Sequence, residues 1–96
     1  MDLERLLVKH RTAIRDIVER HGASGPRIFG SAARGESRLD SDLDILVTPG
    51  PKFSLFDHIA IKQDLEALLG IRVDVATEGG LHWTIRDKVL SESVPL

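Results

Sequence analysis

The sequence predicts an α/β (α+β) fold, in which helices pack against a small sheet. Two kinds of periodicity favour this class. Apolar residues recur every three or four positions over residues 2–21, as in an amphipathic helix, and they alternate with polar residues over 42–47 and 71–77, as in strands. The predicted elements follow one another as helix, strand, helix, strand, helix, strand, helix, and this order brings helices against one sheet.

Residues 2–41 contain two helix signals and one strand signal. Charged residues fill the gaps in the helix predicted over 2–21, and the Gly- and Pro-rich segment 21–26 ends it. A short strand is predicted at 27–29. The next residues, 30–35 (GSAARG), are interpreted as a tight turn that opens a short helix, and residues 37–41 are predicted as a loop.

Polar and apolar residues alternate more regularly in the strands predicted after residue 41. A strand is predicted over 42–47, where alternation passes into an apolar run, and a second one over 71–77. Between them a helix is predicted over 53–69, with Gly70 as its C-cap. A final short helix is predicted over 82–94.

Length and composition limit the classes of protein that fit. The 96 residues, 42% hydrophobic and 29% charged, predict one globular domain over 1–96. The absence of cysteine excludes a disulfide framework and thiolate metal sites, and it favours a reducing, cytoplasmic location. We expect no signal peptide and no membrane span, because no long apolar stretch occurs. The net charge of -2 argues against direct nucleic-acid binding.

Three aspartates are the main candidates for chemistry. Asp42 and Asp44 stand two residues apart in a predicted strand, so both side chains leave the same face, roughly 7 Å apart. Asp74 alternates with valines in the later strand, and if the two strands are neighbours, the three carboxylates converge. Hard oxygen ligands of this kind suit Mg²⁺. Each acid taken alone is better explained as an ordinary capping or solvated surface residue.

Residue spacing argues against two other kinds of metal site. Asp40, Asp42 and Asp44 imitate the start of an EF-hand calcium loop, but Ile45 and Pro51 stand where that loop needs glycine and glutamate. The four histidines share no ligand-like spacing, which disfavours a zinc site.

Gly30 and Ser31 form the second candidate feature. They follow a predicted strand and open a helical turn, whose free backbone N–H groups suit a phosphate. Arg34 lies one turn further on and could pair with the same anion. Taken by itself, the pair is better explained as an ordinary N-cap. A Walker P-loop is disfavoured, because Ser31-Ala32 replaces its Lys-Ser/Thr, and no G-x-G-x-x-G dinucleotide motif is present.

The two features together resemble a known signature. Gly30-Ser31, ten intervening residues and Asp42-Leu43-Asp44 resemble the Gly-Ser-x10-Asp-x-Asp motif of the polymerase-beta-like nucleotidyltransferases. Asp74 matches a later strand acid of that superfamily. The short length resembles the minimal nucleotidyltransferase (MNT) group, and within it the antitoxin of HEPN–MNT toxin–antitoxin pairs. This resemblance implies a mixed sheet with helices packed mainly on one face.

The resemblance also implies roles for the candidate residues. Asp42, Asp44 and Asp74 would hold Mg²⁺ and carry catalysis, while Gly30, Ser31 and Arg34 would bind the phosphates of ATP. The implied reaction transfers AMP to a hydroxyl, expected to be a tyrosine, of a HEPN-domain toxin, and a homo- or hetero-oligomer is compatible with this. A non-catalytic antitoxin that acts by binding and a small-molecule nucleotidyltransferase stay open as alternatives.

Two aromatic side chains carry further expectations. Trp83 is expected to be a partly buried packing residue of the last helix, because large aromatic residues are mostly buried. The apolar arc of the helix at 53–69 is wider than packing on one sheet requires. Phe56 is therefore hypothesised to be exposed and to anchor a protein partner, although burial of both faces within the domain is equally compatible.

Overall fold

The computed structural model describes residues 3–30, 32–35 and 42–96. Ser31 and the loop predicted at 37–41 lie outside these ranges. In the described residues the helices are α1 (Leu3–Lys9), α2 (Arg11–Arg20), α3 (Leu55–Leu69) and α4 (Trp83–Glu92), with one 3-10 turn at Glu78–Gly80. The strands are β1 (Ala23–Phe29), β2 (Leu43–Pro49), β3 (Val73–Thr77) and β4 (Val94–Pro95).

The four strands form one mixed sheet in the order β3-β2-β1-β4. β1 pairs antiparallel with both β2 and β4, whereas β2 and β3 run parallel and are joined by the crossover helix α3. A parallel pair needs such a crossover, because a tight hairpin can join only antiparallel strands. The predicted α/β (α+β) class with a mixed sheet is confirmed.

The hydrophobic core lies between one face of this sheet and the first three helices. We call this face, formed by Leu43, Ile45, Val47, Val73 and Val75, the apolar face; its residues are at most 9% exposed. Apolar residues of α1, α2 and α3 pack against it in one cluster. The predicted packing of helices mainly on one face is therefore confirmed.

The single helix predicted over 2–21 is divided at His10. α1 ends at Lys9 and α2 begins at Arg11, although backbone hydrogen bonds continue from His10 N to Leu6 O (3.1 Å) and from Ile14 N to His10 O (2.9 Å). Apolar residues from both helices belong to the same core cluster. Periodicity could not show this break, because the hydrophobic spacing continues through it.

Helix α3 begins and ends at residues whose chemistry stops a helix. The Ser54 side chain accepts from the Asp57 N–H, and the Asp57 carboxylate accepts from the Ser54 N–H, which together make a capping box. The predicted C-cap is confirmed, since Gly70 is left-handed at φ 71° and its N–H donates to Glu66 O. The helix starts at Leu55, two residues later than predicted.

The last strand has no counterpart in the prediction. Val94 and Pro95 pair with Ile28 and Arg27 at the edge of β1. Arg27 Nε also donates to Ser93 Oγ at 2.8 Å, which ties the end of α4 to the same strand. Two residues are too few to give an alternating pattern, so the sequence alone could not indicate this strand.

Two exposed aromatic side chains test the remaining expectations. Trp83 is 76% exposed and stacks on His82, so its expected burial is wrong. Phe56 is 83% exposed beside Leu55 and Ile59, which agrees with the hypothesis that part of α3 is left uncovered. In the described residues no helix is both long enough and apolar enough to cross a membrane.

Candidate active site

The aspartates predicted to share a site lie on neighbouring parallel strands. Asp44 of β2 and Asp74 of β3 are direct register partners. Because side chains alternate along a strand, both leave the sheet opposite to the apolar face. Asp42 stands immediately before β2 and is exposed. We call the side of the sheet that carries Asp42, Asp44 and Asp74 the acidic face.

Electrostatics show that these acids interact. Burial raises the pKa of Asp44 above its ordinary value of 3.8, and the nearby carboxylates of Asp74 and Asp42 raise it further. The Arg34 guanidinium acts in the opposite direction on the same group. The acidic face therefore holds negative charge at close quarters, as is typical of functional sites.

Gly30 makes room for the most buried of the acids. It follows Phe29, which is the register partner of Asp44 across the β1–β2 pair. A Cβ atom added to Gly30 would lie 2.4 Å from Asp44 Oδ2, and the residue also has a left-handed φ of 69°. Any side chain at this position would push the carboxylate out of place. The sequence predicted that Gly30 lets a phosphate approach the backbone. The structure adds that Gly30 also leaves room for the Asp44 carboxylate.

The segment after Gly30 forms a turn in its described part, at 32–35, and not the short helix that was predicted. The Arg34 N–H donates to Gly30 O at 3.3 Å, and the Arg34 guanidinium lies 3.4 Å from the Glu92 carboxylate at the end of α4. Arg34 therefore pairs with Glu92 and also acts electrostatically on Asp44 of the acidic face. The phosphate-binding role predicted for Ser31 falls outside the described residues.

The donor set at this face suits a divalent cation such as Mg²⁺. Its oxygens are hard carboxylate ligands, and their mutual repulsion is what a cation would relieve. Across residues 3–30, 32–35 and 42–96, however, no three His, Cys, Asp or Glu side chains are gathered closely enough to hold a metal as they stand. The three acids share a face without forming a closed cluster, and their metal-binding role stays a prediction.

Comparison with a family model covers almost the whole chain. Residues 9–96 match the model described as the nucleotidyltransferase domain. The protein adenylyltransferase MntA of Thermococcus cleftensis is 41% identical over 93 residues, which are 97% of this chain and 91% of the relative. MJ0435 of Methanocaldococcus jannaschii, assigned by name as a protein adenylyltransferase, is 44% identical over 78 residues, or 81% of this chain and 84% of that one.

Solved structures share the fold. A minimal nucleotidyltransferase superimposes with a TM-score of 0.87 and 50% identity, over 100% of this chain and 97% of that one. A toxin–antitoxin complex crystallised with AMP-PNP has a TM-score of 0.71 at 18% identity, over 97% of this chain and 71% of that one. The second likeness is one of fold alone.

Proposed function

The chain belongs to the nucleotidyltransferase domain family, and on that premise we propose that it is a Mg²⁺-dependent protein adenylyltransferase that serves as an antitoxin. The proposed reaction moves AMP from ATP to a hydroxyl, expected to be a tyrosine, of a HEPN-domain toxin and silences it. The prediction of a nucleotidyltransferase enzyme is confirmed by the family match; the donor, acceptor and biological role are the proposal.

The observation that carries the proposal is the pairing of Asp44 with Asp74 on the acidic face. This pairing puts two of the three motif acids side by side, in a chain that is 41% identical to an adenylyltransferase over nearly its full length. Neighbours of the same fold were crystallised as toxin–antitoxin complexes, one named MntA-HpeT and one holding the ATP analogue AMP-PNP. These names support ATP as donor and a toxin protein as acceptor.

The chemistry follows from the proposed roles of the acids. Asp42, Asp44 and Asp74 would hold Mg²⁺, which when bound supplies charge neutralisation at the triphosphate. The acceptor oxygen bonds to the α-phosphorus as the bond from that phosphorus to pyrophosphate breaks. Asp74, on the edge strand, is the carboxylate proposed to take the hydroxyl proton. Gly30, Ser31 and Arg34 would orient the β- and γ-phosphates, so that positioning and electrostatics carry most of the rate gain.

The experiment that tests this incubates the chain with its toxin partner, Mg²⁺ and each nucleoside triphosphate in turn. We expect the partner to gain one AMP with ATP, measured by intact-protein mass spectrometry, and to lose toxicity. Asp44→Asn should abolish the mass gain. If this variant still neutralised the toxin as well as the wild type, the antitoxin would act by binding, and if only a small alcohol were modified, the enzyme would belong to the small-molecule class.

A protein acceptor also needs a surface on which to dock, and we propose that Phe56 anchors it. Phe56, Leu55 and Ile59 form an exposed apolar patch at the start of α3. Aromatic anchors often dominate interfaces of this kind. Phe56→Asp should leave the domain folded and able to bind ATP, and should weaken partner binding about thirtyfold, equivalent to about 2 kcal/mol. Gln63→Asp, further along the same helix, is the control.

Calorimetric titration with the partner and circular dichroism measure the two effects separately. Partner affinity that is unchanged by Phe56→Asp would remove this residue from the interface. Unfolding of the variant would contradict its exposed position.

A further inference from the structure

Strand β3 lies at the edge of the sheet formed by the described residues. Its inner side pairs with β2. The Leu43 N–H donates to Arg72 O, so the backbone C=O of Arg72 points toward β2, and the backbone groups of successive residues then point alternately away from and toward β2. By that alternation, the N–H and C=O groups of Val73 and Val75 point away from β2. Outward groups of an edge strand lack strand partners, so other groups must cover them if the strand is to be held rigidly.

Three side chains of α3 cover this outer edge. His58 Nε2 donates to Val75 O at 2.7 Å, and Lys62 Nζ donates to Val73 O at 2.7 Å. Glu66 Oε2 accepts from the Val73 N–H at 3.0 Å. The three residues follow one another at four-residue intervals, which places them on one side of the helix.

The three side chains are themselves held in place. Lys62 Nζ lies 3.2 Å from Glu66 Oε2, so the two bonds to Val73 are made by paired charges. The Val73 N–H and then Lys62 lower the pKa of Glu66, which keeps it an ionised acceptor. His58 packs beside Phe53, with 6.3 Å between ring centroids, and its Nε2 carries the proton because a carbonyl can only accept.

The contacts converge on one residue. Asp74 stands between Val73 and Val75, and its side chain lies on the acidic face beside Asp44. We propose that His58, Lys62 and Glu66 form a clamp that holds the β3 backbone on both sides of Asp74 and so positions its carboxylate. They are positioning residues and not catalytic ones. The inference rests on the proposed function, in which Asp74 is a ligand of Mg²⁺.

The clamp matters because Asp74 lies on an edge strand, whereas Asp44 lies on an inner strand. β2 lies inside the sheet, where strand pairing on both sides fixes Asp44. Among the residues that the structure describes, β3 has strand pairing on one side only, and α3 supplies the second set of backbone partners. Loss of contacts that orient a metal ligand typically weakens metal affinity about 10- to 100-fold, and because this clamp acts through the backbone next to Asp74 we expect the lower end of that range.

The test compares Lys62→Met, which removes a donor, with Lys62→Arg, which keeps one, and with Lys88→Met as a matched control on an exposed part of α4. Two properties are measured by NMR: hydrogen exchange of the amides at 73–75, and the Mg²⁺ concentration that half-saturates the shift of the Asp74 amide. We expect Lys62→Met to accelerate exchange and to raise that concentration roughly tenfold. Lys62→Arg should restore both values, and Lys88→Met should change neither.

Combination with Asp74→Asn shows where the clamp acts. If the clamp works through Asp74, Lys62→Met causes no further loss of Mg²⁺ affinity in the Asp74→Asn background. Additive losses would overturn the proposal, because Lys62 would then act elsewhere. Unchanged exchange and affinity in Lys62→Met, with affinity lowered by Asp74→Asn, would overturn the clamp alone. If Asp74→Asn itself left Mg²⁺ affinity unchanged, the proposed metal role of Asp74 would fail first.

Discussion

Leu43, Ile45 and Val47 leave strand β2 on one side, and Asp44 leaves it on the other. The first three are at most 1% exposed and hold α1, α2 and α3 on the sheet, whereas the pKa of Asp44 is raised by its own burial and by Asp74 and Asp42. The apolar face therefore stabilises the fold, while the acidic face works against it in the absence of a cation. Alternation along one strand separates the two tasks, so each face can be altered without direct loss from the other.

The largest expected effect is on the rate of AMP transfer, in variants that alter only the acidic face. Asp42→Asn or Asp44→Asn should lower the rate of AMP transfer about a thousandfold, because the loss of roughly 4 kcal/mol of charge stabilisation has that effect. The fold should survive, since the apolar face is untouched. Single-turnover assays measure the rate, with Asp87→Asn on the exposed side of α4 as control. Near-normal transfer by both variants would contradict the metal assignment.

A substitution in the apolar face should lower stability and leave AMP transfer by the folded protein nearly unchanged. Ile45 is fully buried, and Ile45→Ala should lower the free energy of unfolding by about 2–5 kcal/mol, through lost burial and the cavity that remains. Ile85→Ala, at a position that is 46% exposed, should cost less than about 0.5 kcal/mol. Urea denaturation measures both. Transfer by the remaining folded Ile45→Ala protein should be near normal, and a specific loss of activity would show that the faces are coupled.

Gly30 follows β1 and lies against Asp44 of the acidic face, so replacing it tests whether the backbone next to this face matters for catalysis. Gly30→Ala and Gly70→Ala both place alanine at a left-handed φ, 69° and 71°, at a cost of about 1 kcal/mol each. Only at Gly30 does the new Cβ meet a carboxylate, that of Asp44.

We therefore expect Gly30→Ala to reduce transfer far more than Ser31→Ala, for which the loss of one proposed hydrogen bond to a phosphate, worth about 1 kcal/mol, should cost roughly five- to tenfold. Gly70→Ala should transfer AMP normally. Equal activity in the two glycine variants would show that the fit between Gly30 and Asp44 does not matter for catalysis.

The smallest expected effect is on stability as a function of pH. The pKa of Asp44 is higher in the folded chain than its ordinary value of 3.8, so the folded state binds the proton more tightly than the unfolded state. Its contribution is fully favourable below 3.8 and is lost as the pH rises through the folded pKa. Without metal, Asp44→Asn should therefore be more stable than the wild type at neutral pH and should lose that advantage in acid. An advantage that did not depend on pH would point to packing instead of charge.

The candidate site could be predicted from the sequence to the extent that its signals are local. The two-residue spacing of Asp42 and Asp44 places them on one side of a strand in any fold that makes 42–47 extended. The position of Asp74 between valines does the same for the later strand. Their proximity was only conditional, because it required β2 and β3 to be neighbours with Asp44 opposite Asp74, and that pairing depends on the packing of α3.

Other features escaped prediction for related reasons. The expected burial of Trp83 came from an average tendency of aromatic residues, and the path of α4 leaves this one in solvent. The short helix predicted after Gly30 is a turn at 32–35. In the sequence, the clamp residues His58, Lys62 and Glu66 look like the polar side of any surface helix. Their role is visible only in the structure, where they contact the outer edge of β3.

The sequence by itself determined which residues alternate, that the segments of α3 and α4 are helical, where α3 ends, and the motif that resembles the family's signature. These follow from periodicity and short-range chemistry, which act over a few residues. Only the tertiary structure decided that Asp44 faces Asp74, that Gly30 must lack a side chain beside Asp44, and that α3 covers the edge of β3. Each of these is a contact between segments distant in sequence, and such contacts are set by how the whole core packs.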